Sequence, residues 1–127
     1  MKRIALVFMV SLAMSQPVLA RQPRNKPVFP KDIQGLWQLG DDRCRTKNTK
    51  DSDGTMVIYQ THVHANEEII RPVEITLISN NPMTWRFLGI SSVAPPEIQG
   101  QALLYVLNGN SLVITDGIAT RKYSRCR

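Results

Sequence analysis

The chain has 127 residues, 16 basic and 10 acidic side chains, a net charge of +6 and two cysteines. That length is one domain's worth, and so mild a positive excess falls far short of a nucleic-acid binder's footprint. The two cysteines do not form a Cys-x-x-Cys pair, which removes the usual thiolate spacing for a metal or redox centre.

The N-terminus divides into three zones. Lys2 and Arg3 give a positive start, Ile4 to Ala13 is an apolar run broken only by Ser11, and Ser15-Gln16-Pro17 leads to Val18-Leu19-Ala20. This is the pattern of a secretory signal over residues 1–20, with Ala20 the last residue removed. The apolar run is shorter than the ~20 residues a membrane span needs, and no Cys follows the cleavage point to carry a lipid. Lys2 and Arg3 leave with the signal, so the remaining 107 residues carry +4. The expected protein is exported, periplasmic or secreted, not membrane-spanning, and without a nucleic-acid partner.

Residues 21–32 hold Pro23, Pro27 and Pro30 among Arg21, Arg24, Lys26 and Lys31, and their only large apolar side chains are Val28 and Phe29. Proline removes backbone donors, so this stretch reads as an extended, flexible basic arm, with Arg21, Arg24 and Lys26 available to an acidic partner. A single domain over residues 33–127 follows.

From Gly35 onward the pattern is β. Gly35 to Leu39 is a short first strand, and Asp41 to Asp53 a polar loop that contains Cys44. Thr55 to His64 reads as one longer strand. Ala65 to Arg71 reads as a single helical turn capped by Asn66, with Glu67 and Glu68 in its first turn and Pro72 at its limit. Val73 to Ile78 alternates, and Asn80-Asn81-Pro82 marks a turn. Thr84 to Ile90 places Trp85 and Phe87 on one face. A loop with Pro95-Pro96 leads to Gln101–Leu107, which is apolar on both faces. Asn108-Gly109-Asn110 and Asp116-Gly117 are hairpin turns into Ser111–Thr115 and Thr120–Arg125.

The fold class is therefore all-β: seven to eight short strands in an antiparallel meander, closed as a barrel or folded as a β-sandwich. In an oxidising compartment Cys44 and Cys126 have only one intramolecular pairing. A disulfide needs Cα atoms within about 7 Å, and these two follow the first strand and end the last. A meander whose ends meet is a barrel, which also removes sheet edges.

Gly35-Leu36-Trp37, a Gly-x-Trp at the start of the first strand of a meander, resembles the opening of lipocalin-like and avidin-like barrels. The resemblance implies that Trp37 plugs one end of the barrel beneath a basic side chain of the last strand, from Arg121, Lys122 or Arg125. With Cys44 within ten residues, the segment also resembles the small periplasmic barrel inhibitors of bacterial metalloproteases, which insert an N-terminal arm into the protease cleft. Arg21 to Pro30 would be the matching arm. Those inhibitors carry the second Cys inside the barrel sequence, whereas Cys126 lies at the far end of this chain.

Little in the sequence points to catalysis. No Gly-x-Ser-x-Gly elbow and no phosphate-cradling glycine loop is present, and no carboxylate pair stands out. Asp51-Ser52-Asp53-Gly54 departs from a calcium loop at Thr49 and at Gln60. His62 and His64 are spaced to face one side of a strand, with Glu67 and Glu68 close by in sequence as oxygen ligands. Two histidines at a strand end are more commonly a solvated tip, so no metal and no cofactor is assigned. Trp37, Tyr59, Trp85, Phe87 and Tyr105 are candidates to fill the core or line an apolar pocket. The expectation is a non-enzymatic binding protein of the cell envelope that contacts a partner or a small apolar ligand. A protein inhibitor using its arm is the alternative. Its expected state is a monomer, or a dimer joined through the two-sided apolar strand Leu103 to Leu107.

Overall fold

The computed structural model describes residues 25–41, 44 and 54–127. The expected signal segment, Arg21, Arg24 and the Asp51-Ser52-Asp53 run lie outside them. Eight antiparallel strands close into a barrel in chain order. They are β1 (Gly35–Leu39), β2 (Thr55–Ile58), β3 (Val63–Ala65), β4 (Glu68–Asn80), β5 (Met83–Ser91), β6 (Ala102–Asn108), β7 (Ser111–Thr115) and β8 (Thr120–Arg125). The only helical segments among the described residues are 3₁₀ turns over Lys31–Ile33 and Pro96–Ile98.

The meander closes where β8 pairs with β1, with Trp37 opposite Arg125, Gln38 opposite Ser124 and Leu39 opposite Tyr123. Two further backbone bonds extend this seam: Gly40 N–H donates to the Lys122 carbonyl and Cys126 N–H to that of Leu36, each at 2.8 Å. The Cys44–Cys126 disulfide forms beside it, with the two Cα atoms 5.6 Å apart. The seam pairs three residues of each strand, and the covalent tie beside it holds the first and last strands together.

Two sequence expectations are corrected between Thr55 and Asn80. The single strand Thr55–His64 is two strands, because Tyr59 N–H donates to the His62 carbonyl at 2.8 Å and folds Gln60 and Thr61 into a turn. The expected helical turn at Ala65–Arg71 is a hairpin instead. Asn66 sits at φ 52°, Ala65 pairs with Glu68, and β4 then runs on. An Asn before two acids signals a helix start, but Asn also tolerates the left-handed region that a two-residue hairpin turn requires. β4 passes straight through Pro72, which lies at a register shift against β5. A bulge is where a strand accommodates a residue without an N–H.

β6 is hydrogen-bonded to β5 along one side and to β7 along the other, so its backbone offers no free edge. Leu103, Tyr105 and Leu107 turn inward from it, which leaves Leu104 and Val106 on the outer face.

The core lies inside one end of the barrel and comprises Trp37, Met56, Ile58, Val63, Trp85, Phe87, Tyr105, Leu112 and Tyr123 with Phe29 and Ile33. Phe29 corrects the reading of 21–32 as a free arm. It is 2% exposed, stacks on Phe87 at 5.3 Å between centroids, and donates its N–H to the Gln60 carbonyl at 2.8 Å. The folded unit thus includes Phe29, ahead of the expected boundary at residue 33. On β5, two residues from Phe87, Gly89 stands where a Cβ would lie 2.5 Å from the Phe87 ring and 2.9 Å from Ile70. The close packing of β4 against β5 at this level depends on that missing side chain.

Candidate functional site

Strand alternation on β8 turns Arg121, Tyr123 and Arg125 to one side, toward the barrel interior. Their neighbours across the wall agree: Tyr123 is buried opposite Leu112, and Arg121 pairs with Ile114, which packs against the core. The strand therefore carries an arginine toward each end of the barrel.

At one end Arg125 completes a seal. Its guanidinium lies over the Trp37 ring at 4.3 Å from the centroid, donates to the Gln34 carbonyl at 3.0 Å, and also donates to the Asp32 carbonyl. Trp37 is fully buried and donates its indole N–H to the Ile33 carbonyl at 2.9 Å. The turn Lys31–Ile33 is held from both sides by these bonds, and Phe29 fills the space beside it. Of Arg121, Lys122 and Arg125, it is Arg125 that covers the tryptophan.

At the other end the wall opens. A cavity of about 380 Å³ reaches down between Met56, Ile70, Leu103 and Ile114, with Glu68, Tyr105, Arg121 and Tyr123 as its principal polar lining. It adjoins an upper hollow of about 650 Å³ that shares Ala65, Glu68, Arg121 and Tyr123 and continues to Leu39 and Val93. Val93, Ile98 and Leu39 leave 63%, 48% and 41% of their surface exposed around this end, so the rim is apolar.

The polar groups of the lining are unequally engaged. Glu68 accepts a hydrogen bond from the Ser91 hydroxyl. Asp116 accepts from Ile118 and Ala119 N–H at 2.8 and 2.7 Å, and these bonds hold its carboxyl below the usual carboxylate range. Arg121 makes no hydrogen bond or ion pair among the described residues. The Tyr105 ring is 2% exposed, yet its hydroxyl also lacks a partner there and opens on the cavity. Burial, then the nearby Tyr123 and Glu68, push its ionisation far above the ordinary phenol range, so the hydroxyl remains a donor.

The structure brings together four of the five aromatic candidates, Trp37, Trp85, Phe87 and Tyr105, as core, and only Tyr105 reaches the cavity. Tyr59 stands apart in the β2–β3 turn, stacked on His62 at 4.6 Å between ring centroids. His62 and His64 share a shallow surface hollow with Tyr59 and Ile69, and neither Glu67 nor Glu68 lines it. Among the described residues no three His, Cys, Asp or Glu side chains are grouped to hold a metal ion. Lys26 is exposed beside Pro27, Val28 and Arg71.

Sequence reasoning gave Arg121 and Glu68 other roles and did not single out Tyr123. The signal for Arg121 was present in β8, because fixing Tyr123 as buried fixes Arg121 on the same face two residues away. Glu68 was hidden by the helical reading of its turn.

No helix among the described residues is long and apolar enough to cross a membrane. The disulfide is consistent with an oxidising compartment. No protein-family model, curated protein or solved structure matches the chain.

Proposed function

We propose that this chain is an exported, non-enzymatic binding protein of the cell envelope whose barrel holds a small, largely apolar ligand entering through its open end. The observation that carries the reading is the asymmetry of the barrel. One end is sealed by Trp37, Arg125, Phe29 and Ile33, while the other opens on a cavity of about 380 Å³. Ligand sites are concave, mostly apolar and supplied with a few convergent polar groups, and this cavity combines aliphatic walls with a buried phenol.

Native mass spectrometry of the protein purified from envelope extract tests the reading. The expected result is a retained small molecule, lost when Ile114→Trp fills the cavity. A protein with no bound molecule, together with one dominant protein partner in a pull-down, would overturn it in favour of a protein inhibitor.

A further inference from the structure

We propose that the open-end cavity is selective for apolar monocarboxylates, with the acid group paired to Arg121, the hydrocarbon body against Ile70, Leu103 and Ile114, and a second ligand oxygen accepting from the Tyr105 hydroxyl. This assignment rests on the reading of the cavity as a ligand site and adds its chemistry.

Two donors line this site, Arg121 and the Tyr105 hydroxyl. Arg121 and Arg125 occupy the same face of β8, four residues apart, yet their surroundings are opposite. Arg125 has an aromatic face and two carbonyls, whereas Arg121 is exposed, makes no hydrogen bond or ion pair among the described residues and feels only the longer-range attraction of Asp116. A guanidinium is always charged and presents a fork that matches a carboxylate. The second donor is deeper. Tyr105 is 2% exposed as a residue, but its hydroxyl is open to the cavity rather than buried, and there it can donate to a ligand oxygen.

The acids nearby select the kind of anion. Glu68 lines the same cavity, engaged by the Ser91 hydroxyl, and Glu67 lines the upper hollow. Asp116 is engaged by its own turn. None lies within ion-pair distance of Arg121. Their charge opposes a doubly charged phosphate head more than a single carboxylate. The aliphatic walls and the rim residues Val93 and Ile98 exclude a wholly polar acid on desolvation grounds.

The test is calorimetric titration of the mature protein with decanoate, methyl decanoate, ω-hydroxydecanoate and decylammonium. Decanoate should bind at least about tenfold more tightly than its methyl ester, since a charge-assisted pair is worth that much. Arg121→Gln should erase this difference, and Arg121→Lys should restore part of it. ω-Hydroxydecanoate should bind more tightly than decanoate to the wild type, and Tyr105→Phe should remove that advantage. Circular dichroism confirms that each variant is folded. If the ester binds as tightly as the acid, or decylammonium more tightly than either, the carboxylate assignment falls while the cavity remains a ligand site. If none of the four binds, both the assignment and the cavity reading fall.

Discussion

Arg125 and Trp37 stand directly opposite each other across the β8–β1 seam, and the guanidinium of one lies 4.3 Å from the ring centroid of the other. The contact joins the last strand to the first at the point where the barrel closes and also covers the end of its core. Trp37→Ala should lower stability by about 3–5 kcal/mol, the usual cost of removing a large buried aromatic. Arg125→Lys keeps the charge but loses the planar stack and the fork to two carbonyls, so roughly 1–2 kcal/mol should go. Urea unfolding followed by tryptophan fluorescence measures both. A Trp37→Ala change within a few tenths of a kcal/mol of wild type would mean that the seal contributes nothing.

Gly89 allows β4 and β5 to close over Phe87. Its absent Cβ would fall 2.5 Å from that ring and 2.9 Å from Ile70, so Gly89→Ala should destabilise by about 1–3 kcal/mol through overpacking. The second variant Phe87→Leu should relieve part of the penalty when combined with it. The measurement is a double-mutant cycle, and simple additivity would contradict the steric account.

The N-terminal segment needs to be cut at the right place. Phe29 belongs to the core, stacked on Phe87 at 5.3 Å, so a deletion through Pro30 would damage the barrel and the arm together. Phe29→Ala should cost about 3–5 kcal/mol, whereas deletion of residues 21–26 should leave the thermal midpoint within a few degrees of the full chain. The two deletions also separate the functional readings. A barrel-pocket binder keeps its ligand after the shorter deletion, and an inhibitor acting through Arg21, Arg24 and Lys26 loses its activity.

The β7–β8 turn should tighten and loosen with the charge on Asp116. The folded state holds this carboxyl below its ordinary range, chiefly through the Ala119 and Ile118 amides. For a depressed group, the stabilisation is full above the unfolded value and is lost as pH falls through the folded one. The amide resonances of Ile118 and Ala119 should therefore titrate together at a pH below that of a free aspartate. A midpoint at or above the free value would refute the capping role.

The barrel was legible because its signals are local. Alternation gave β1, β7 and β8 with their observed ends, and the Asn-Gly and Asp-Gly turns fixed the β6–β7 and β7–β8 connections. Two cysteines at the right places joined the ends. The errors arose where one residue type serves two geometries. Asn66 can begin a helix or turn a hairpin, and only the strand pairing on either side of it, Ala65 with Glu68 and His64 with Ile69, decides between them. Phe29 was misread because a proline-rich, basic context hides one apolar side chain whose ring partners, Phe87 and Tyr105, lie far along the chain. Of the cavity only Tyr105 was legible as a pocket candidate, since the site exists only where Glu68, Tyr105 and Arg121 meet from three separate strands.

The Cys44–Cys126 bond has a mechanical consequence. Tension applied between the two ends of the chain enters through the N-terminal segment, runs along β1 to Cys44, and leaves through the disulfide to Cys126. Strands β2 to β8 hang on this line as a side loop and bear no load. Pulled from its ends, the oxidised protein can lose the Phe29 anchor and the β1 contacts, but the remaining seven strands cannot be drawn out as an extended chain until that bond is reduced.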